Sequence, residues 1–153
     1  MSDQLVTRDM LATDLLQVVT IEQNAQLSPW ARLSFEESLA KEYFCRVICD
    51  DDEMVVAYHI VCPIVDELHI LNLVVAKEYQ GQGIAHALMH DIMDIANSSA
   101  STKKVFLEVR AGNHKAQQLY QQWQFKQIAI REKYYRRPDQ EKEDAFILVK
   151  VLN

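Results

Sequence analysis

The chain has 153 residues, 49% of them hydrophobic and 25% charged, with only three prolines. That composition fits one globular domain, expected to run over 1–153, long enough for a proper core and too short for two. A net charge of −6 argues against general affinity for nucleic acid or anionic membrane, whereas an acidic surface suits a basic peptide partner.

The polar start Met1-Ser2-Asp3-Gln4 leads into no long apolar span, so neither a signal peptide nor a membrane helix is expected and the expected location is cytoplasmic. Cys45, Cys49 and Cys62 are odd in number, lack CxxC spacing and lie in or at the end of apolar runs. They read as buried reduced thiols rather than as a disulfide or a metal site.

Residues 5–8 form a short candidate strand. Residues 10–25 carry Leu11, Leu15, Val18, Val19 and Glu22 at helical spacing, and Ser28-Pro29-Trp30 breaks that helix. Ser34-Phe35-Glu36-Glu37 has capping-box spacing and is expected to open a second short helix. Residues 43–49 and 54–62 are β-rich runs joined by Asp50-Asp51-Asp52-Glu53. This reads as a hairpin with a solvated acidic turn, because no calcium-loop ligand set or turn glycine follows. Pro63 and Asp66 lead into a strand over 68–75. Ile84, Leu88, Ile92 and Ile95 share one face of a helix ending near Ser98. A strand over 105–110 and a helix over 114–123 follow, then strands over 125–131 and 145–151 separated by a charged loop. The order β-αα-β-β-β-α-β-α-β-β predicts an α/β protein of the mixed-sheet (α+β) kind, mostly antiparallel, with helices on both faces.

Only three glycines occur, and two of them stand in Gln80-Gly81-Gln82-Gly83-Ile84-Ala85, between a strand and a helix. Strand, glycine turn and helix start make a backbone able to hold a phosphate: the N–H groups of Gln82, Gly83, Ile84 and Ala85 converge, and the helix dipole attracts an anion. A Walker loop would need Gly-Lys-Ser/Thr where Gly83-Ile84-Ala85 stands, and a dinucleotide fingerprint would need a small residue at His86. A plain left-handed turn without ligand is the remaining alternative.

The third glycine closes Leu107-Glu108-Val109-Arg110-Ala111-Gly112-Asn113. Along this strand Val105, Leu107 and Val109 face one way, and Phe106, Glu108 and Arg110 the other. A mid-strand carboxylate is costly unless it is paired, hydrated or used, so Glu108 is half of a Glu108–Arg110 ion pair, a residue at a strand end open to water, or a working group. Tyr120 shares a helical stripe with Ala116, Leu119 and Trp123, which suits a core residue as well as a catalytic one. Asn113 stands where a helix N-cap is wanted. His59, His69, His90 and His114 show no metal-ligand spacing, and no metal is expected.

Residues 75–85 resemble the Gln/Arg-x-x-Gly-x-Gly/Ala motif of the GNAT acetyltransferases, whose loop wraps the pyrophosphate of coenzyme A. The stretch from Leu107 to Asn113, with Ala116, Leu119 and Tyr120, resembles the LEVRxSNxxAxxLY signature of RimI-type N-terminal acetyltransferases. Ile21-Glu22-Gln23, Pro29-Trp30, Tyr134-Tyr135 and Glu143-Asp144-Ala145 extend the resemblance over nearly the whole chain. It implies a GNAT-like fold and an acetyl-CoA-dependent N-acetyltransferase acting on a protein N-terminus, here the N-terminal alanine of a basic small-subunit ribosomal protein. By the same resemblance Glu108 takes the general-base position and Tyr120 the general-acid position. Leu73, Val74, Val75 and Asn113 fall where acetyl-CoA is contacted, and Gly81, Gln82, Gly83, Ile84, Ala85 and His86 fall on the pyrophosphate loop. Tyr134, Tyr135, Arg136 and Arg137 fall on the loop bordering the acceptor.

Direct attack by an amine needs no cysteine, and neither motif contains one. A relative acetylating small amines or lysine side chains, or a silent acyl-CoA-binding module, are the alternatives. Lys77 stands where the family often has proline, and no arginine occupies Gly81 or Gln82. The loop's only cation of its own would be a charged His86, so backbone donors must hold the phosphates. Gly112 replaces the usual serine, and Gln124 the glycine before Phe125, so the turn after that helix must form without glycine.

Overall fold

The computed structural model describes residues 4–136, 139 and 142–153. Its strands are β1 (Val6–Asp9), β2 (Phe44–Cys49), β3 (Val55–Ile64), β4 (Glu67–Val75), β5 (Lys104–Arg110), β6 (Lys126–Arg136) and β7 (Lys142–Val151). Its helices are α1 (Leu15–Ala25), α2 (Arg32–Ala40), α3 (Ile84–Asn97) and α4 (His114–Gln122), with 3₁₀ turns at Ala12–Asp14 and Lys77–Tyr79. The strands form one seven-stranded sheet in the order β1-β2-β3-β4-β5-β7-β6. Among the described residues β4 and β5 run parallel and the other pairs are antiparallel. This is the mixed, mostly antiparallel sheet expected.

Alternation along the strands explains the two helical layers. Val74 points to the face where Leu15, Val18 and Phe35 of α1 and α2 pack with Val47, Tyr58 and Ile60. Val75 points the other way, to Ile84 and Leu88 of α3. On that second face Met89, Ile92 and Met93 meet Ile70, Val105 and Leu107, and Tyr120 of α4 and Phe125 just after it close the cluster.

A polar tie also fixes α3 to the sheet. Asp91 accepts from His59 Nε2 at 2.7 Å and from Arg46 Nε and Nη2 at 3.1 Å each. Partial burial pushes the Asp91 carboxyl up, but the hydrogen bonds from His59 and Arg46 outweigh it and hold the group at about 2. His59 itself is fully buried, and that burial lowers its pKa in spite of Asp91.

Three local expectations need correction. The first helix does not run unbroken from Met10: Asp14 takes the Leu11 N–H at 2.7 Å and pairs with Arg8, which makes a 3₁₀ turn before Leu15 and leaves Leu11 exposed. Ser34 does not cap α2 but lies inside it, because Ala31 is the extended residue before the helix and its carbonyl accepts the Ser34 N–H. Tyr134, Tyr135 and Arg136 are not loop residues, since β6 continues to Arg136 and β7 begins at Lys142. Exposed charges on this outer ladder, with a register shift between Arg131 and Tyr135, erase the apolar alternation by which a strand is read. Arg137 lies outside the described residues.

The Asp50 side chain accepts the N–H groups of Asp52 and Met54, so the acidic hairpin turn organises itself. All three cysteines are free and buried, and burial pushes the Cys45 thiol up to about 11. Among the described residues no group of side chains could hold a metal, and no helix is long and apolar enough to cross a membrane.

Candidate active site

The sheet opens where the parallel pair of β4 and β5 ends. β4 and β5 pair from Glu67 with Lys104 to Ile70 with Leu107, and no further. At the same point β4 gains a residue against β3: Ile60 pairs Asn72 and Val61 pairs Ile70, so Leu71 is bulged. A bulge bends and twists its strand. The rest of β4 therefore diverges from β5, while β5 stays laddered to β7 through Arg110. The side of β4 that has lost its neighbour lines a gap through the molecule.

On one side of the gap lies a groove of about 440 Å³. Its walls include Leu73, Val74 and Val75 from β4, Gly81, Gly83, Ile84, Ala85 and His86 from the glycine turn, and Asn113 and Lys115 from the start of α4. Gly81 and Gly83 both have left-handed φ, +81° and +82°, with nothing within 4 Å of an added Cβ. They are glycines because of backbone conformation, and the space in front of them is open. Gln80 Nε2 donates to the Val75 carbonyl at 3.0 Å and pins the turn to the strand end. Among the described residues nothing accepts the N–H groups of Gly81, Gln82, Gly83, Ile84 or Ala85, so the turn presents a run of unpaired donors at the start of α3. Gln82 is exposed and is not among the residues lining the groove. Trp123 Nε1 donates to His86 Nδ1 at 3.0 Å, which occupies a lone pair that a doubly protonated imidazole lacks. Among the described residues lining the groove, Lys115 is the one lysine or arginine.

On the other side lies a cavity of about 190 Å³ walled by Glu22, Trp30, Asn72, Glu108 and Tyr120, among others. Gln26, Leu73, Asn113, Ala116 and Leu119 line both spaces, so the two are adjoining parts of one passage. Glu108 lies beside the gap with Arg131 Nη2 at 3.3 Å from its Oε1. Arg110 is held elsewhere, donating to Glu143 Oε1 at 3.1 Å. The other Glu143 oxygen takes the Gly112 N–H at 2.9 Å, and a Cβ at Gly112 would stand 2.7 Å from it. Glycine instead of serine there lets Glu143 sit close. Asn113 is the N-cap of α4, its Oδ1 accepting the Ala116 N–H at 3.1 Å, and it also faces the groove. Tyr120 is buried, edge-on to Phe125 at 5.8 Å between ring centroids. It is a core residue and a cavity wall at once.

Residues 12–125 match the family model of the acetyltransferase (GNAT) family. This chain is a GNAT acetyltransferase. It is 33% identical over 137 residues to the ribosomal protein bS18-alanine N-acetyltransferase of Escherichia coli K12, covering 89% of this chain and 90% of that one. The enzyme of the same name from Haemophilus ducreyi is 32% identical over 139 residues, covering 91% and 94%. The crystal structure of the ribosomal-protein-S18-alanine N-acetyltransferase from E. coli superposes with a TM-score of 0.90 at 29% identity, covering 98% of this chain and 95% of the other.

Three features of this GNAT site escape sequence reasoning. Lys115 lies in a polar stretch with no pattern to distinguish it. Arg131 reaches Glu108 from β6, 23 positions away. Glu22 looks like one more position on a helical stripe, yet it is 1% exposed and bonded to three other segments. A charged residue on an otherwise apolar stripe is the signal that could have found it.

Proposed function

We propose that this chain, working as a single domain, transfers an acetyl group from acetyl-CoA to the N-terminal α-amino group of a protein. The N-terminal alanine of ribosomal protein bS18 is the first acceptor to test. The observation that carries the reading is the passage through the splayed sheet, with a run of open N–H donors in its groove and two ionisable side chains, Glu108 and Tyr120, in the adjoining cavity. The names of the relatives support the choice of acceptor.

The residues present fit acetyl-CoA. The unpaired donors from Gly81 to Ala85 and the α3 dipole suit a pyrophosphate, and Lys115 adds a positive charge. When bound, acetyl-CoA supplies an activated acyl group. Glu108 accepts a proton from the acceptor amine, whose α-amino pKa of roughly 7.7–8.0 demands only a weak base. Backbone N–H groups on the open side of β4 stabilise negative charge developing on oxygen. The Tyr120 hydroxyl holds the proton that the departing thiolate needs.

The test is mass spectrometry of acetyl transfer to peptides differing in their first residue, with free polyamines as competitors. An Ala-start basic peptide should be acetylated on its α-amine in preference to polyamines; the reverse order overturns the reading. Glu108→Gln and Tyr120→Phe should each lower kcat by about 10²-fold or more while the fold persists by circular dichroism. Full activity in both would remove the assigned roles.

A further inference from the structure

Glu22 is a buried carboxylate that the chemistry above does not use. Its Oε1 accepts the Tyr58 hydroxyl at 2.6 Å and Asn72 Nδ2 at 3.0 Å, and its Oε2 accepts the Trp30 N–H at 2.9 Å. All three partners donate, so the site is built for the anion. All three are neutral as well, and among the described residues no lysine, arginine or histidine forms an ion pair with Glu22. A buried charge is ordinarily matched by an opposite one. Here the unmatched charge sits in the wall of the cavity that also holds Glu108 and Tyr120. The other carboxylate of that cavity, Glu108, already faces Arg131.

We infer that Glu22 gives the acceptor cavity its selectivity for a positively charged amine, and that the arriving ammonium is the missing countercharge. Glu22 is a positioning residue, because its oxygens are taken up by Tyr58, Asn72 and Trp30 and no proton transfer is assigned to it. Two effects combine. Its field favours an ammonium over an uncharged group, and it is weakly screened because Glu22 itself is buried away from water. Its bonds fix the cavity wall, since Trp30 lies at the end of the segment between α1 and α2, and Asn72 is further braced by Gln26 Nε2 at 3.2 Å. The two carboxylates then divide the work: Glu22 draws the ammonium in, and Glu108 takes its proton. This rests on the amine-acetylating reading of the site.

The test compares binding of an Ala-start peptide with its des-amino counterpart, propionyl replacing alanyl, to CoA-saturated protein at pH 6.5 by calorimetry. Wild type should prefer the amine by about tenfold or more, equivalent to ~1.4 kcal/mol. Glu22→Gln should bring the two peptides to within about threefold with CoA affinity unchanged, whereas Glu22→Asp should retain the preference. A purely structural role would weaken both peptides alike. If Glu22→Gln does not fold, Glu22→Met/Tyr58→Phe removes the charge together with one of its donors and should give the same loss of preference. Retention of the preference in a folded Glu22→Gln or double variant overturns the inference, as does its loss in Glu108→Gln alone. A wild type that neither binds nor acetylates the amine peptide overturns the acceptor reading and this inference together.

Discussion

Replacing Gln124 with glycine should stabilise the protein. Gln124 follows α4 with φ of +68°, in the left-handed region that L-residues with a Cβ avoid. It does so because the helix ends in a Schellman motif: Phe125 N donates to the Tyr120 carbonyl at 3.0 Å and Gln124 N to that of Gln121 at 2.9 Å. The left-handed conformation costs an L-residue about 1–2 kcal/mol, and glycine returns about 0.5–1 kcal/mol of that in unfolded-state entropy. The net gain is about 0.5–1 kcal/mol, or about 1–4 °C in Tm for a domain of this size. The Gln124 side chain is exposed, so little packing is lost. Differential scanning calorimetry of Gln124→Gly beside Gln124→Ala measures it, and alanine, which keeps the Cβ, should gain nothing. No rise with glycine, or an equal rise with alanine, would refute the attribution to backbone strain. Acetyl transfer should be unchanged in both.

Lys115→Ala should raise the KM for acetyl-CoA about two- to fivefold, as befits an exposed charge, with kcat kept and the effect shrinking in high salt; no change in KM would remove Lys115 from phosphate binding. Gly83→Ala should cost about 1 kcal/mol and weaken coenzyme binding through the turn's backbone, since no clash awaits the new methyl; unchanged coenzyme affinity by calorimetry would count against the turn as the phosphate site. Burial lowers the His59 pKa, so the unfolded chain binds the extra proton as the pH falls. Urea stability should be fully present above His59's unfolded pKa near ~6.5, decline as the pH falls below it, and decline less in His59→Leu. Equal slopes in the two proteins would show that His59 does not control this window.

Much of the architecture is legible in side-chain period. Val105, Leu107 and Val109 alternate and are buried, and Ile84, Leu88 and Ile92 recur at helical spacing and face the sheet. The glycine turn is legible because glycine is so rare here. Legibility fails where stability comes from polar contacts far apart in the chain. Asp14 with Arg8 breaks the first helix early, and the solvated outer half of β6 and β7 carries no apolar stripe. Glu108 meets Arg131 rather than supporting the simple Glu108–Arg110 pair, a partnership that depends on β7 lying between β5 and β6. The opening of β4 from β5 is likewise invisible, because no residue type marks where two distant strands cease to pair.

That opening also divides the sheet mechanically. β1 to β4 form one half and β5, β7 and β6 the other, and the seam between them is four residue pairs long. A ligand lying in the gap acts as a stitch across the seam. Coenzyme binding should therefore raise Tm in proportion to RT ln(1 + [L]/Kd) and slow amide exchange in residues 71–75, the stretch of β4 that no strand covers on its β5 side.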